Sequence, residues 1–543
     1  MKTGVLTLKN KPRAYTLSPV WGTFAAVAIG AFPGGVSSQP ILGGGSAGMI
    51  SIVPRLSVSE TYTNNVFLSS GNRQADLVTE ISPGIRVTSR GGRITGSLDY
   101  SLNELLYAQN SSGRRSQNAL NATGTMEVID KWGYIDFSGF VGQHAVSAFG
   151  APANDGIALN GNNTETSVFM LSPHVKGRLG SVADYEARYS LTSSRSRSSL
   201  VSNVYSKDFS ARLSGVGGRL GWSLDTGHQV IDFSAGRSTT NQRISGQLTY
   251  ALDTRWGVYV KGDHESNNFV SAADQQGNFI ALGATWNPNE ETKISLDKDN
   301  RGSTGLVAAW APSRRTSVSV TRERRLYGDT HSVALAYRTP NTAWTFADSR
   351  SVVANPGQSS GIGSASLYDV LYGQFAAGES DPIKRGQYDA FLKANGIKPG
   401  ATATAGFLTS SVSLQRQQQL SFALLGVRNT VTVIVTRGQN SSLDTLSAAV
   451  DDFSTSPVVR QNGLSVNYSY RITANSLLSL AATRQVSTGS VGQNTSARSL
   501  NVNLTTQLSR DTSASVGARR VVFDSSTAPY TETAVLGNLS VQF

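Results

Sequence analysis

The chain has 543 residues, a net charge of +12, 15% charged residues, 54 glycines and no cysteine. So few charges, against about 25% in soluble proteins, argue against a string of ordinary soluble domains, and the missing cysteine removes disulfide frameworks, Cys metal sites and thiol nucleophiles. Mean hydropathy is −0.19 and no run of about 18 apolar residues stands outside the N-terminus, which excludes helical membrane spans; a barrel escapes that test because only every second residue of a strand meets lipid.

Residues 1–38 read as a secretory signal: Lys2, Lys9, Lys11 and Arg13, an apolar run from Val20 to Phe32, then Val36 and Ser38 in cleavage-site spacing. Its removal takes four positive charges and lowers +12 to +8. The remaining basic balance fits either attraction to anionic material such as lipopolysaccharide, or arginines at membrane interfaces and in a wet lumen. The second is the simpler reading. No basic stripe is interleaved with aromatics, so no nucleic-acid partner is expected.

Residues 39–51 read as a flexible leader. Gly44 to Gly48 match G-x-S-x-G, but that nucleophile needs a strand before it and a helix after it. Neither is expected here, and the match is read as chance.

From Leu56 one unit repeats: an alternating strand, a short turn, an alternating strand, then a longer polar connection. Ile81, Ile85 and Val87 precede the turn Ser89 to Gly92, and Ile94, Leu98 and Tyr100 follow it. Further short turns are expected near Asp130–Gly133, Leu179–Ala183, Asp225–His228, Asp253–Trp256, Pro288–Thr292, Pro312–Arg315, Pro340–Ala343, Gly426–Asn429, Ile472–Asn475 and Ser509–Thr512. Gly215 to Leu220 is a competing turn; admitting it breaks the alternation of short and long connections, so residues 205–224 are read as one long strand with a bulge at Gly217-Gly218. Eleven hairpins plus one strand at each end give about twenty-four strands, with a range of roughly 22 to 26, an even number as single-chain bacterial barrels require. No blade repeat of a propeller is seen.

The last strand carries Val535, Gly537, Leu539, Val541 and Phe543 on one face and ends on the aromatic. Val535, Leu539, Val541 and Phe543 are the candidate C-terminal assembly signal, and the β-barrel assembly machinery is the partner it implies. Trp132, Trp222, Trp256, Trp286, Trp310 and Trp344 all lie in or near short turns. Indole favours the membrane interface, so the six are expected to form a girdle at the periplasmic, short-turn rim.

Residues 350–409 break the repeat. Leu367, Tyr368, Leu371 and Phe375 fall on a helical face, and Arg385, Tyr388 and Phe391 on a second helix opened by Asp381-Pro382. By parity this insert leaves from the long-loop side, as a plug or lid over the lumen or as a compact external loop. The connection from Gly438 to Asn462, with Asp444, Asp451 and Asp452, is expected to be polar and solvated.

Arg86, Asp99, Asp136, Glu186, Arg188, Lys261 and Asp263 alternate toward the expected lumen. The five histidines have no ligand spacing, with His228 in an expected turn and the others near strand ends or loops; solvated side chains are the reading, and no metal or cofactor is called for.

The block LSVSETYTNNVFLSS (residues 56–70) with DLVTEISPGIRV (76–87), LYDVLYGQFA (367–376) with DPIKR (381–385), and GFLTSSVSLQRQQQLSFALLGVRNTVTV (406–433) together resemble the outer-membrane proteins of the PEP-CTERM and exosortase sorting system. The resemblance implies a Gram-negative outer membrane and a link to exopolysaccharide production, and it assigns no functional residue.

The expectation is therefore an all-β, transmembrane, antiparallel up-and-down barrel over residues 52–543, not an enzyme, residing in the bacterial outer membrane among lipid and lipopolysaccharide. It would act as a channel or export component associated with exopolysaccharide and the surface display of PEP-CTERM proteins, with exopolysaccharide or its export proteins as partners. The alternatives are a non-transporting surface scaffold or adhesin, and a barrel-embedded lipid or glycan hydrolase.

Overall fold

The computed structural model describes residues 50–110, 113–151, 156–234, 236–270, 275–353, 406–443, 451–490 and 492–543. The signal, most of the leader, the G-x-S-x-G match and the candidate plug residues Leu367, Tyr368, Leu371, Phe375, Arg385, Tyr388 and Phe391 lie outside them.

Alternating apolar and polar residues between turn formers give 24 strands. The first eight are β1 (Ile50–Thr63), β2 (Asp76–Gly91), β3 (Ile94–Tyr107), β4 (Arg115–Ile129), β5 (Gly133–Ala145), β6 (Asn163–Leu179), β7 (Ala183–Ser196) and β8 (Val204–Gly217). Then come β9 (Leu220–Phe233), β10 (Ser238–Ala251), β11 (Trp256–Asn267), β12 (Gln276–Asn289), β13 (Thr292–Asp299), β14 (Thr304–Ser313), β15 (Thr316–Arg325) and β16 (Gly328–Arg338). The last eight are β17 (Thr342–Val353), β18 (Ser413–Leu425), β19 (Asn429–Ser442), β20 (Val458–Arg471), β21 (Ser476–Thr488), β22 (Asn494–Gln507), β23 (Thr512–Ser525) and β24 (Tyr530–Gln542). The one described helix, α1 (Asp452–Thr455), sits between β19 and β20.

Each strand pairs antiparallel with the next, and β24 returns to β1, with Leu56 opposite Val541, Val58 opposite Leu539 and Tyr62 opposite Val535. Closure leaves no unpaired edge, which is the condition for a sheet to stand in hydrocarbon. β1 begins at Ile50, two residues inside the expected leader.

The pairing register separates inside from outside. Arg243 of β10 reaches Glu323 of β15, which it can do only through the interior, and the alternation carries that assignment round the wall. Val58 and Tyr62 of β1, Leu248 of β10, Leu282 of β12 and Leu500 of β22 fall on the outer face and are exposed. Counted from the short-turn end, no strand places Asp, Glu, Lys, Arg or His outward among its first six residues. That belt is the surface that lipid can cover. Leu480 of β21 lies in it, beside Tyr468 and Val502, while its neighbour Ala481 points inward. Leu480→Arg is expected to cost about 2–4 kcal/mol and Ala481→Arg far less, measured by denaturant unfolding in bilayers; equal costs would overturn the facing.

One expected turn is wrong. The chain reverses at Gly218-Arg219, where Gly217 pairs with Leu220, and Asp225–His228 runs straight through β9. Gly218 has φ +60°, at the first position of a two-residue hairpin turn that requires it. Asp225 and Gly227 point into the lumen, where polar residues are tolerated, so a polar stretch of strand imitates a turn. Exchanging one turn for the other leaves the strand count at 24.

Candidate functional site

The chain is an outer-membrane β-barrel, so its chemistry has three places to sit: the lumen, the mouth at the long-loop end, and the lipid-facing skin. A round barrel of 24 strands about 4.8 Å apart and tilted near 40° would be roughly 48 Å across. Its own side chains cannot fill such a space.

Besides the inward pairs Arg178–Asp184 and Arg212–Asp225 near the short-turn end, four charge clusters stand on the described lumen wall. Arg55 and Arg86 converge on Asp99, the second with its Nε 2.8 Å from the carboxylate. Asp136 receives Arg188 at 2.5 Å and Thr125 at 2.7 Å, and lies 3.3 Å from His174, whose ring stacks on Tyr134. Arg519 and Glu532 form a buried pair at 2.8 Å, with the Thr63 hydroxyl donating to the same carboxylate. Of the residues expected to face the lumen, Arg86, Asp99, Asp136, Glu186, Arg188, Lys261 and Asp263 all do.

The fourth cluster reshapes the wall. Glu323 of β15 takes Arg243 of β10 at 2.8 Å and Lys261 of β11 at 2.6 Å. Strands five apart on a round 24-strand barrel would be separated by about 29 Å, yet extended Arg and Glu side chains together span only ~12 Å. The wall therefore folds sharply between β10 and β15. Register shifts at Trp286/Asn289 and Trp310/Ser313 supply bends of the kind bulges give, and the folded lobe encloses a cavity of about 150 Å³ beside Arg243, Lys261, Asp263 and Arg301.

The mouth is crossed by described chain. Phe407 bridges to Ala145 at the end of β5, and six residues later Ser413 opens β18. Six residues extend at most about 22 Å, whereas β5 and β18 would stand nearly a full diameter apart in a round barrel; the long-loop end is flattened. Residues 406–412 form a strap across it, with Phe407, Leu408 and Val412 fully buried. Leu408 packs on Val146 and Val201, and Phe407 on Phe453 of α1.

Two adjacent carboxylates tie the strap down. Asp451 accepts from the Thr409 hydroxyl at 3.0 Å and the Ser410 N–H at 2.8 Å. Asp452 accepts from the Ser147 hydroxyl at 2.6 Å and the Ala148 N–H at 2.7 Å, in the loop that joins β5 to β6. Ser410 is held from a third side by the Ser202 N–H and by Arg237. The same β5–β6 loop continues inward: Ile157 takes the Tyr107 hydroxyl at 2.6 Å, and Ala158 packs against Leu68, Phe523 and Tyr530. Burial pushes the Asp452 carboxyl above the ordinary carboxylate range, the hydrogen bonds from Ser147 and Ala148 opposing it. These aspartates were expected in solvent. Asp451 also caps α1 by accepting the Phe453 N–H, but the role of the pair at the strap is invisible locally because their partners there lie more than 40 residues away in sequence.

The tryptophans Trp222, Trp256, Trp286, Trp310 and Trp344 stand on the outer face near the short-turn end, Trp256 stacked on Trp286 at 5.9 Å. Trp132 lies in the β4–β5 turn and its indole donates to the Tyr185 hydroxyl. Val535, Leu539 and Val541 point outward on β24, and the Phe543 N–H bonds the Pro54 carbonyl.

All five histidines lie within strands; His228, expected in a turn, is inside β9, and His144, expected near a strand end or loop, is one residue from the end of β5. His144 and His174 face the lumen; His228, His264 and His331 face outward, His331 paired with Asp348 at 3.1 Å. Among the described residues no Ser or Thr hydroxyl is bonded to an imidazole ring, and no group of three potential metal ligands occurs.

No protein-family model and no curated protein matches the chain. Among solved structures it is similar to the FrpB iron transporter of Neisseria meningitidis (F5-1 variant), with a TM-score of 0.42 and 11% identity over 90% of this chain and 82% of that one. It is also similar to the siderophore receptor PirA of Pseudomonas aeruginosa, with a TM-score of 0.38 and 9% identity over 90% and 80% of the two chains. The architecture described above is read from the strand pairing itself.

Proposed function

We propose that this protein is a gated passage through the outer membrane, a channel or export component whose cargo is the extracellular polysaccharide suggested by the sequence resemblance. One observation carries the reading: a polar, charge-lined lumen ends in a mouth crossed by a strap that is held by side-chain hydrogen bonds and a single backbone bridge, and not by a strand ladder. Side-chain contacts and one isolated bridge can be remade, whereas the full strand ladders cannot be undone without unfolding. The mixed charges on the wall suit a hydrated polymer better than an ion of one sign.

Conductance of the purified protein in planar bilayers tests this. The chain has no cysteine, so the double variant Ser147→Cys/Asp452→Cys introduces a single cross-link between the β5–β6 loop and α1. Oxidation is expected to lower the conducting fraction several-fold, and reductant to restore it. No conductance from the wild type, from the reduced variant, or after proteolytic cutting of the strap would refute the passage.

The buried aromatic contacts of the strap, Phe407 on Phe453, favour a second reading in which the mouth never opens and the barrel is a surface scaffold or adhesin. Cells lacking the gene would then still secrete polymer but shed it.

A further inference from the structure

The outer face above the apolar belt is not uniform round the barrel. On strands β17 to β23 the ninth or tenth residue from the short-turn end is an outward arginine six times: Arg350, Arg416, Arg437, Arg484, Arg498 and Arg520. On β20 the outward arginine is Arg460, slightly nearer the long-loop end. At the same level the opposite side carries apolar side chains, among them Val58 on β1, Leu102 on β3, Leu120 on β4, Val141 on β5, Leu191 on β7 and Phe209 on β8. The outward bases of that side, Arg195 and Lys207, lie nearer the long-loop end, and Lys207 is paired with Asp232.

Height identifies what these groups meet. Nine or ten residues of strand tilted near 40° rise roughly 20–23 Å above the short-turn rim, close to the ~25 Å of the apolar band. The long-loop rim is the external one in such barrels, so the arc lies at the head groups of the outer leaflet. Below it, Val435, Leu464 and Leu500 offer an apolar wall to acyl chains.

Charge is in excess. Asp348 is engaged by Arg416, Gln418 and His331, and Asp524 by Arg498. Against these two carboxylates stand seven arginines. Among the described residues Arg437, Arg460, Arg484 and Arg520 have no carboxylate within ion-pair distance, and all four are exposed. Guanidinium groups offer forked donors that match phosphate oxygens. The arc spans six strand spacings, about 29 Å, enough to engage more than one phosphate group.

We infer that strands β17 to β23 form a binding surface for the phosphorylated head group of an outer-leaflet glycolipid, lipopolysaccharide in chemical class. The surface is independent of whether the lumen conducts. Phosphates would sit between neighbouring guanidiniums, with the acyl chains lying down the apolar strand faces beneath.

The test uses the full-length protein in nanodiscs of zwitterionic phospholipid doped with bisphosphorylated lipid A or with its dephosphorylated form, the retained lipid being counted by native mass spectrometry. The wild type is expected to retain the phosphorylated form about tenfold over the other. Arg437→Gln/Arg484→Gln/Arg520→Gln should lose that preference, while Arg195→Gln/Lys207→Gln on the far side keeps it. Equal retention of both lipids by the wild type overturns the inference without needing any variant to fold. So does undiminished preference in a triple variant shown to be folded by its heat-dependent gel mobility, or a copurifying polypeptide occupying this face in place of lipid.

Discussion

Replacing Asp451 and Asp452 together by alanine is expected to free the strap and raise the conducting fraction of the barrel by at least about tenfold. Besides the α1 cap that Asp451 makes with the Phe453 N–H, the two carboxylates accept four hydrogen bonds from the strap and the β5–β6 loop, from Thr409, Ser410, Ser147 and Ala148, and bonds to charged groups contribute about 1.5–3 kcal/mol each when partners are otherwise left unsatisfied. Even if water recovers most of that, a residual of ~1.4 kcal/mol moves an open-to-closed ratio tenfold. The strands are untouched, so the variant should assemble normally. Wild-type conductance in the double variant would mean that the apolar contacts, the Phe407–Ala145 bridge and the bonds to Ser410 hold the mouth without the carboxylates.

Acidity should act on the same contact. Burial raises the Asp452 carboxyl, with neighbouring Asp451 adding to the rise, so the closed mouth binds a proton more tightly than an open one in which the group is solvated. Closure is then fully favoured below the ordinary carboxylate pKa and weakens as pH rises through the raised value. Conductance should increase from pH 4 toward neutrality, and Asp452→Asn should flatten that dependence.

The other large effect is on stability. Arg519 and Glu532 are each 6% exposed and 2.8 Å apart on the inner wall. Glu532→Ala leaves a guanidinium buried beside the Thr63 hydroxyl that it shared and is expected to cost about 3–5 kcal/mol. Arg519→Met/Glu532→Leu, which removes both charges while keeping the volume, should recover most of the loss. Urea unfolding of the barrel in micelles measures both, and a single variant as stable as wild type would show that water reaches the pair.

Most of the wall was legible in the residues. Alternation such as Val535, Leu539 and Val541 outward with Leu536 and Asn538 inward is imposed by lipid on one side and water on the other, and both act on single residues at fixed spacing. The charged residues predicted to face the lumen follow from the same period of two. The period fails where the lumen is wet, because a polar stretch such as Asp225–His228 is then equally at home in a strand or a turn.

At the mouth the one local signal is the Asp451 cap on α1, which says nothing of the strap. Asp451 is bonded to residues 41 and 42 positions away and Asp452 to residues more than 300 away, and only the flattening of the barrel brings them together. The arginine arc was likewise written in the sequence but not readable there, since seven strands must be set side by side in register before their separate arginines share one height.

What the sequence determined by itself was the choice of solvent for each face, and with it the strand number and the closure of the sheet. The tertiary structure alone decided the shape of that closed wall: where it bends at β10 to β15, where the strap crosses, and which side of the skin is basic. The physical reason is that side-chain alternation is a one-dimensional constraint, obeyed equally by a round barrel and a folded one. Cross-lumen pairs such as Arg243 with Glu323 form only after the strands are in place.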